Sequence, residues 1–312
     1  MNLQPIRIGT RGSQLALYQA EKVKSVIEEK FPTQQVELII IHSKGDKILD
    51  VALSKIGDKG LFTKELEEAL FRNEIDMAVH SLKDLPTLLP EGLEIGGVLS
   101  RGEVSDAVVS LKGIKLKDLT PEMTIATSSL RRTAQLLKIN PKFKIVDIRG
   151  NVNTRLRKME EGYCDVMIMA AAGLQRLGLD NYISEVVDPH TMIPAVSQGA
   201  IAMETRIGDT RVGEVVKAIN HALTYTITEA ERVFLSKLEG GCQIPIGCYS
   251  MVNDDTYTIK GFMSYIDGTA RLENEVTGKL ADAKSCAAQL ADYFIQKGSR
   301  QLLDRIRNFN TN

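Results

Sequence analysis

Apolar residues along this chain gather in short runs of three to seven, separated by glycine- or proline-marked turns and by longer amphipathic stretches, the alternation expected of α/β domains. Ile6 to Gly9 reads as a strand, and Thr10-Arg11-Gly12-Ser13 as a turn into a helix from Gln14 to about Phe31, closed by Pro32. Leu15, Leu17, Ala20, Val23, Val26 and Ile27 recur at helical spacing as its buried stripe, with Ser13 as N-cap. Val36 to His42, reading VELIIIH, has no polar alternation and predicts a strand buried on both faces, hence a parallel sheet under helices. A Gly- and Lys-rich passage broken by Gly45, Gly57 and Gly60 follows, and its composition predicts a mobile loop. A helix from Thr63 to Asn73 and a strand from Ile75 to Val79 lead to His80-Ser81-Leu82-Lys83-Asp84-Leu85-Pro86.

Two strand-like runs between Leu93 and Leu111 flank a polar crossing at Arg101 to Asp106, taken as a domain boundary. The next stretch restates the first: IGTRGSQLAL and IATSSLRRTA both read as strand, Thr, turn with Ser, helix. Here the strand is Thr124 to Thr127 and the helix Leu130 to Ile139. A strand at Lys144 to Ile148 meets Arg149-Gly150-Asn151-Val152-Asn153 and a helix through Glu161, and a strand at Asp165 to Ala170 meets a helix carrying Arg176. The chain then crosses back near Pro194 to Gln198, and Gly199 to Arg206 adds a strand to the first domain. The pattern predicts two related α/β domains that aim strand carboxyl ends and helix N-termini at a shared cleft. From about residue 222 a third, α+β unit begins, with a helix at Thr228 to Leu238 and strands at Cys248 to Val252, Thr256 to Ile266 and Ala270 to Thr277. A final amphipathic helix spans Asp282 to Lys297, with Ala283, Cys286, Ala287, Leu290, Ala291 and Phe294 inward.

Composition narrows the function classes. With 43% hydrophobic and 25% charged residues the chain is an ordinary globular protein of two or three domains. Its 39 Lys plus Arg against 40 Asp plus Glu leave a net charge of −1, so any anion site must be local. That balance, the absence of tryptophan and 5% aromatic residues disfavour a nucleic-acid binder. The opening MNLQPIRIGTRGS holds no apolar run of signal-peptide length, and no segment approaches a membrane span, so a cytoplasmic protein is expected. The four cysteines show neither metal-ligand spacing nor a disulfide framework, and no metal is assigned; Cys164 and Cys286 are expected in the core.

Three features bear chemistry. Arg11, Arg131, Arg132, Arg149, Arg155 and Arg176 stand at or just beyond strand carboxyl ends, where guanidinium forks and free backbone amides would meet a carboxylate or phosphate. Singly, each could equally be a solvated arginine paired with a nearby acid. Asp84, beside Lys83, is either a turn cap or salt-bridge partner, or the group that offsets a cation generated in the reaction and relays a proton. Cys242, in EGGCQIPIG, follows two glycines and precedes a proline, so its thiol is either presented on an open turn or packed as a structural cysteine.

Several motifs in series resemble the porphobilinogen deaminase (hydroxymethylbilane synthase) family: IGTRGSQLAL at 8–17, GDKGLFTKELE at 57–67, VHSLKDLP at 79–86, IATSSLRR at 125–132, IRGNVNTRL at 148–156, AAGLQRLG at 171–178 and GGCQIPIG at 240–247. The resemblance runs from residue 6 to about 250, and beyond that only in character. It implies two periplasmic-binding-protein-like α/β domains around a cleft, 1–100 plus 199–220 and 101–198, and a smaller α+β domain, 221–312, bearing the cofactor cysteine. The implied reaction condenses four porphobilinogen molecules head to tail, with release of ammonia, to hydroxymethylbilane in heme biosynthesis. The implied cofactor is a dipyrromethane attached by a thioether to Cys242.

By the same resemblance Asp84, with Lys83, Arg11, Arg149 and Arg155, is catalytic. Ser13, Lys83, Asp84, Thr127, Ser129, Arg131, Arg132 and Arg155 hold the cofactor. Arg11, Arg149, Arg176, Gln19 and Gln198 contact substrate, and Lys55 and Lys59 form a lid. A monomer that passes its product to a downstream uroporphyrinogen synthase is expected, without nucleic acid, membrane or metal. Ser197 departs from the family, which usually has glycine there, and Arg101 to Asp106 is not the usual acidic-rich form. The rival reading, a non-catalytic two-domain anion receptor, would account for the arginines but not for the Cys242 turn or Asp84.

Overall fold

A computed structural model describes residues 4–43, 63–239 and 244–311. The Gly- and Lys-rich passage with Lys55 and Lys59, and the Cys242 turn, lie outside the described residues. The chain divides into two compact units, one from 4–43, 63–102 and 199–225, the other from 103–198, 226–239 and 244–311.

The first unit opens with β1 (Ile6–Thr10), α1 (Gln14–Lys30), β2 (Val36–Ile40), α2 (Lys64–Phe71), β3 (Met77–Ser81) and β4 (Leu93–Val98). Ser13 caps α1 as expected, its side chain accepting from the Ala16 N–H at 3.3 Å. The stripe is buried at Ala20, Val23 and Ile27, but it also buries Gln19. The second unit contributes β5 (Asp106–Val109), β6 (Thr124–Ala126), α3 (Leu130–Ile139), β7 (Lys144–Val146), α4 (Val152–Glu160), β8 (Val166–Ala170), α5 (Ala171–Arg176) and β9 (Ile183–Val186). The chain returns to the first unit through β10 (Ile201–Arg206) and α6 (Thr210–Ile219). Then α7 (Ala222–Lys237) leads to β11 (Ile246–Asn253), β12 (Thr256–Met263), β13 (Leu272–Lys279), α8 (Ala283–Gln296) and α9 (Ser299–Thr311).

The first sheet has the order β2-β1-β3-β10-β4, and the second the order β7-β6-β8-β5-β9. In each, four strands run in one direction, while one crossing strand, β10 or β5, pairs antiparallel with both its neighbours. The recurrence read from IGTRGSQLAL and IATSSLRRTA is thus a recurrence of topology. Each sheet is mixed rather than parallel, because its fourth strand is the one by which the chain crosses between units. On the first sheet, α1 and α6 cover one face through Val23, Ile27, Val212 and Val216, and α2 covers the other through Leu66 and Leu70. On the second, Leu156 and Met159 of α4 lie on one face, and Leu136 of α3 with Phe143 on the other.

Two expectations need correction. VELIIIH is not buried on both faces: β2 is an edge strand, and Ile40 is half exposed. An apolar run fixes strand character but not the strand's place in the sheet order. The helix of 282–297 is not the last, since α9 follows and buries Leu302, Leu303 and Ile306 in the same core as Phe234 and Phe294. That core joins α7, α8 and α9 to a three-stranded antiparallel sheet, β11-β12-β13, the α+β element expected at the C-terminal end. Cys164, Cys248 and Cys286 are buried.

Candidate active site

In the first unit the turns after β1 and β3 open at the carboxyl edge of parallel strands, where an α/β sheet places its ligands. Arg11 and Ser13 follow β1, and Lys83 and Asp84 form a 3₁₀ turn after β3. The two turns are tied by Gln19, whose buried amide donates to Ser81 Oγ at 2.8 Å. One pocket there is lined by Arg11, Ser13, Gln19, Thr63, His80, Ser81 and Asp84. Four residues expected from the sequence, Arg11, Ser13, Gln19 and Asp84, therefore share a wall, and Lys83 lies beside them on the same turn. Asp84 is exposed to the pocket mouth.

Beneath it lies a polar layer the sequence reading did not anticipate. His80 Nε2 stands 3.0 Å from Glu204 Oε2, both buried, and Thr63 Oγ1 donates to Glu67 Oε1 at 2.7 Å. Burial pushes the Glu67 carboxyl up, against the hydrogen bond from Thr63. The sequence signal was available: a histidine inside a strand of four buried residues needs a partner.

In the second unit the turns after β6, β7 and β8 share one sheet edge, because these strands are parallel. Ser129 caps α3, accepting from the Arg132 N–H, and Thr127 Oγ1 accepts from the Ser129 N–H at 3.3 Å. Asn151 caps α4 and accepts from the Thr154 N–H at 2.9 Å. The preceding Gly150 sits at φ 113°, and a Cβ there would lie 2.6 Å from Thr154 Cγ2, so this turn requires glycine. Arg155 Nε donates to the Gly150 carbonyl at 2.8 Å, while Arg149 lies 4.0 Å from Asp147 and Arg176 ends α5. These three side chains are half-buried at the turns.

Arg131 and Arg132 behave differently. Both are buried against Asp106, which is 0% exposed. Arg131 Nη1 donates to Asp106 Oδ2 at 2.7 Å, and Arg132 Nη2 to Oδ1 at 2.7 Å. Burial alone would raise the Asp106 carboxyl, but the two guanidinium charges and their hydrogen bonds hold it far below the usual carboxylate range. Gln198, expected at the substrate, is instead fully enclosed, its amide donating to Asp106 Oδ1 at 2.9 Å and to the Val104 carbonyl at 2.7 Å. Asp106 is the chief residue missed, because a single acid opening DAVV looks like the polar end of a strand. Adjacent Arg131 and Arg132 at the start of a helix after an apolar strand were the signal that a counter-charge was needed.

Among the described residues no cluster of His, Cys, Asp or Glu could hold a metal ion, and no helix is long and apolar enough to cross a membrane.

Residues 6–214 match the family model described as porphobilinogen deaminase, dipyromethane cofactor binding domain, and residues 225–296 the model of the porphobilinogen deaminase C-terminal domain. The chain belongs to the porphobilinogen deaminase family. The porphobilinogen deaminase of Trichlorobacter lovleyi is 46% identical over 301 residues, 96% of this chain and 96% of that protein. That of Geobacter sulfurreducens is 44% identical over 306 residues, 98% of this chain and 96% of its own. Among solved structures, the probable amino-acid ABC transporter extracellular-binding protein from Bacillus subtilis aligns over 75% of this chain and 96% of its own, at 14% identity and a TM-score of 0.40.

The donor set fits the cofactor that this family carries. Two buried guanidiniums share a single protein carboxylate, so the second unit holds one positive charge in excess where a carboxylate-bearing pyrrole could discharge it.

Proposed function

We propose that this chain joins four porphobilinogen molecules head to tail on a dipyrromethane primer held by a thioether at Cys242, and releases hydroxymethylbilane. The reading rests on one observation above all: Arg11, Ser13, Gln19 and Asp84 line a single pocket. At each addition the C–N bond of the substrate's aminomethyl group breaks, with ammonia leaving. A C–C bond forms to the free α-carbon of the terminal pyrrole, whose proton is lost. The primer supplies that α-carbon for the first addition and the last added ring supplies it thereafter; release cleaves the C–C bond between the primer and the first added ring with one water, whose hydroxyl goes to the product and whose proton goes to the primer α-carbon.

The chain's own side chains supply charge and placement. Arg11 takes a substrate carboxylate, while Ser13 and Gln19 fix the turn that presents it. Asp84 accepts hydrogen bonds from pyrrole N–H groups and offsets the positive charge that develops as ammonia departs. Ser129, Thr127, Arg131 and Arg132 hold primer carboxylates. Arg149, Arg155 and Arg176 take the carboxylates of added rings, two per ring from the acetate and propionate arms. Gln198 acts through Asp106 rather than on substrate. Lys55 and Lys59 serve as a lid over the growing chain.

The same proposal includes three domains, 1–100 with 199–220, 101–198 and 221–312. It also includes a monomer acting in the cytoplasm and passing its product to a uroporphyrinogen synthase.

Asp84→Asn tests the chemistry, because it keeps shape and removes charge. Primer mass should remain, while turnover should fall at least about a hundredfold, the scale of losing one preorganised electrostatic group. Near-normal turnover would return Asp84 to the role of turn cap.

A further inference from the structure

Asp106 carries more than a salt bridge. Its Oδ1 accepts from Arg131 Nη2 at 3.2 Å, Arg132 Nε at 3.1 Å, Arg132 Nη2 at 2.7 Å and Gln198 Nε2 at 2.9 Å, and its Oδ2 accepts from Arg131 Nη1 at 2.7 Å. Both guanidiniums are also pinned to backbone carbonyls, Arg131 to Ile193 at 2.7 Å and Arg132 to Ile168 at 3.1 Å. Each guanidinium thus commits three of its five N–H groups and keeps two in reserve. The charge count is as uneven as the donor count. Burial pushes Arg131 below its ordinary range and the Arg132 cation adds to that, with Asp106 the opposing charge. Two cations and one anion, all nine-tenths buried or more, form an arrangement that is stable with one further anion and strained without it.

We infer that Asp106 is a positioning residue: a permanent protein carboxylate that fixes both guanidinium planes, so that their remaining donors form a seat for one carboxylate of the bound pyrrole primer. The inference deepens the assignment of Arg131 and Arg132 to the primer and rests on it. Its physical content is preorganisation. Without the Asp106 charge the two arginines repel each other, lose their four hydrogen bonds to the acid, and must be reassembled by the ligand. Gln198 belongs to the same device, since its amide ties the Asp106 carboxylate to the Val104 carbonyl.

The test is primer loading, read by intact mass and independent of turnover. Protein made without porphobilinogen is titrated with porphobilinogen, and the loaded fraction is followed for the unmodified chain, Asp106→Asn and Gln198→Leu. Asp106→Asn should need at least about tenfold more porphobilinogen for half loading, the scale of disrupting a buried hydrogen-bonded charge pair. Gln198→Leu, which keeps the charge, should show a smaller shift in the same direction. A merely structural role would lower the yield of folded protein and leave the folded fraction fully loaded. If Asp106→Asn does not accumulate as folded protein, Gln198→Leu decides alone. Half loading at the unmodified concentration in the folded variants overturns the inference while the primer assignment stands. If the unmodified chain never gains mass, it is the primer assignment that fails.

Discussion

Ser197 offers a prediction that can be worked from the backbone. It adopts φ 60°, the left-handed region, and is 1% exposed. Its N–H donates to Glu231 Oε2 at 2.6 Å, which fixes the conformation, while its buried Oγ has no hydrogen-bond partner. A left-handed residue with a Cβ costs about 1 to 2 kcal/mol, and an unsatisfied buried hydroxyl about 1 to 3 kcal/mol. Ser197→Gly removes both and keeps the backbone bond to Glu231, but it gives the unfolded chain more freedom, worth roughly 0.5 to 1 kcal/mol against it. The balance favours glycine by about 1 to 4 kcal/mol, and at roughly 2 to 4 °C per kcal/mol for a unit of this size that is a rise of at least about 2 °C in the unfolding midpoint. Thermal unfolding followed by circular dichroism at two scan rates measures it. Ser197→Ala separates the contributions: it removes the hydroxyl and keeps the Cβ, so its midpoint should fall between the two. A glycine variant no more stable than the unmodified chain would refute both the strain and the orphaned hydroxyl.

Thiol counting probes the cysteine assignment. Cys164 is pushed up to about 11 by burial and then by the Asp165 charge, and burial also raises Cys286. With Cys248 buried in β11, the native protein should resist alkylation near pH 8, since the thiolate is the reactive form. In denaturant three of the four cysteines should react, the thioether sparing Cys242, and a count of four would contradict the tether. Cys242→Ser should fold, also yield three, and turn over no porphobilinogen.

Much of this arrangement was legible in the sequence because it depends on local rules. Ser13, Ser129 and the helices they cap follow from a small polar residue before a periodic apolar stripe, and α3 spans the expected 130–139. The arginine turns could be placed because each follows an apolar run. What escaped depended on pairing across long separations. The edge position of β2 is set by which strand lies beside β1, information VELIIIH does not contain. The partnership of Asp106 with Arg131, Arg132 and Gln198 spans 25 to 92 residues and emerges only when β5 enters the sheet beside β8. Ser197 was visible as a departure from the family pattern. Its consequence, a left-handed residue with a stranded hydroxyl, required the backbone.

The central claim is that a pyrrole chain grows while tethered to this polypeptide. Intact mass spectrometry, before and shortly after adding a few equivalents of porphobilinogen, addresses it most directly. The purified protein should exceed its 34.4 kDa chain by two pyrrole units and then show a ladder of species spaced by one further unit each. A single peak at the bare chain mass that porphobilinogen does not shift would contradict the account.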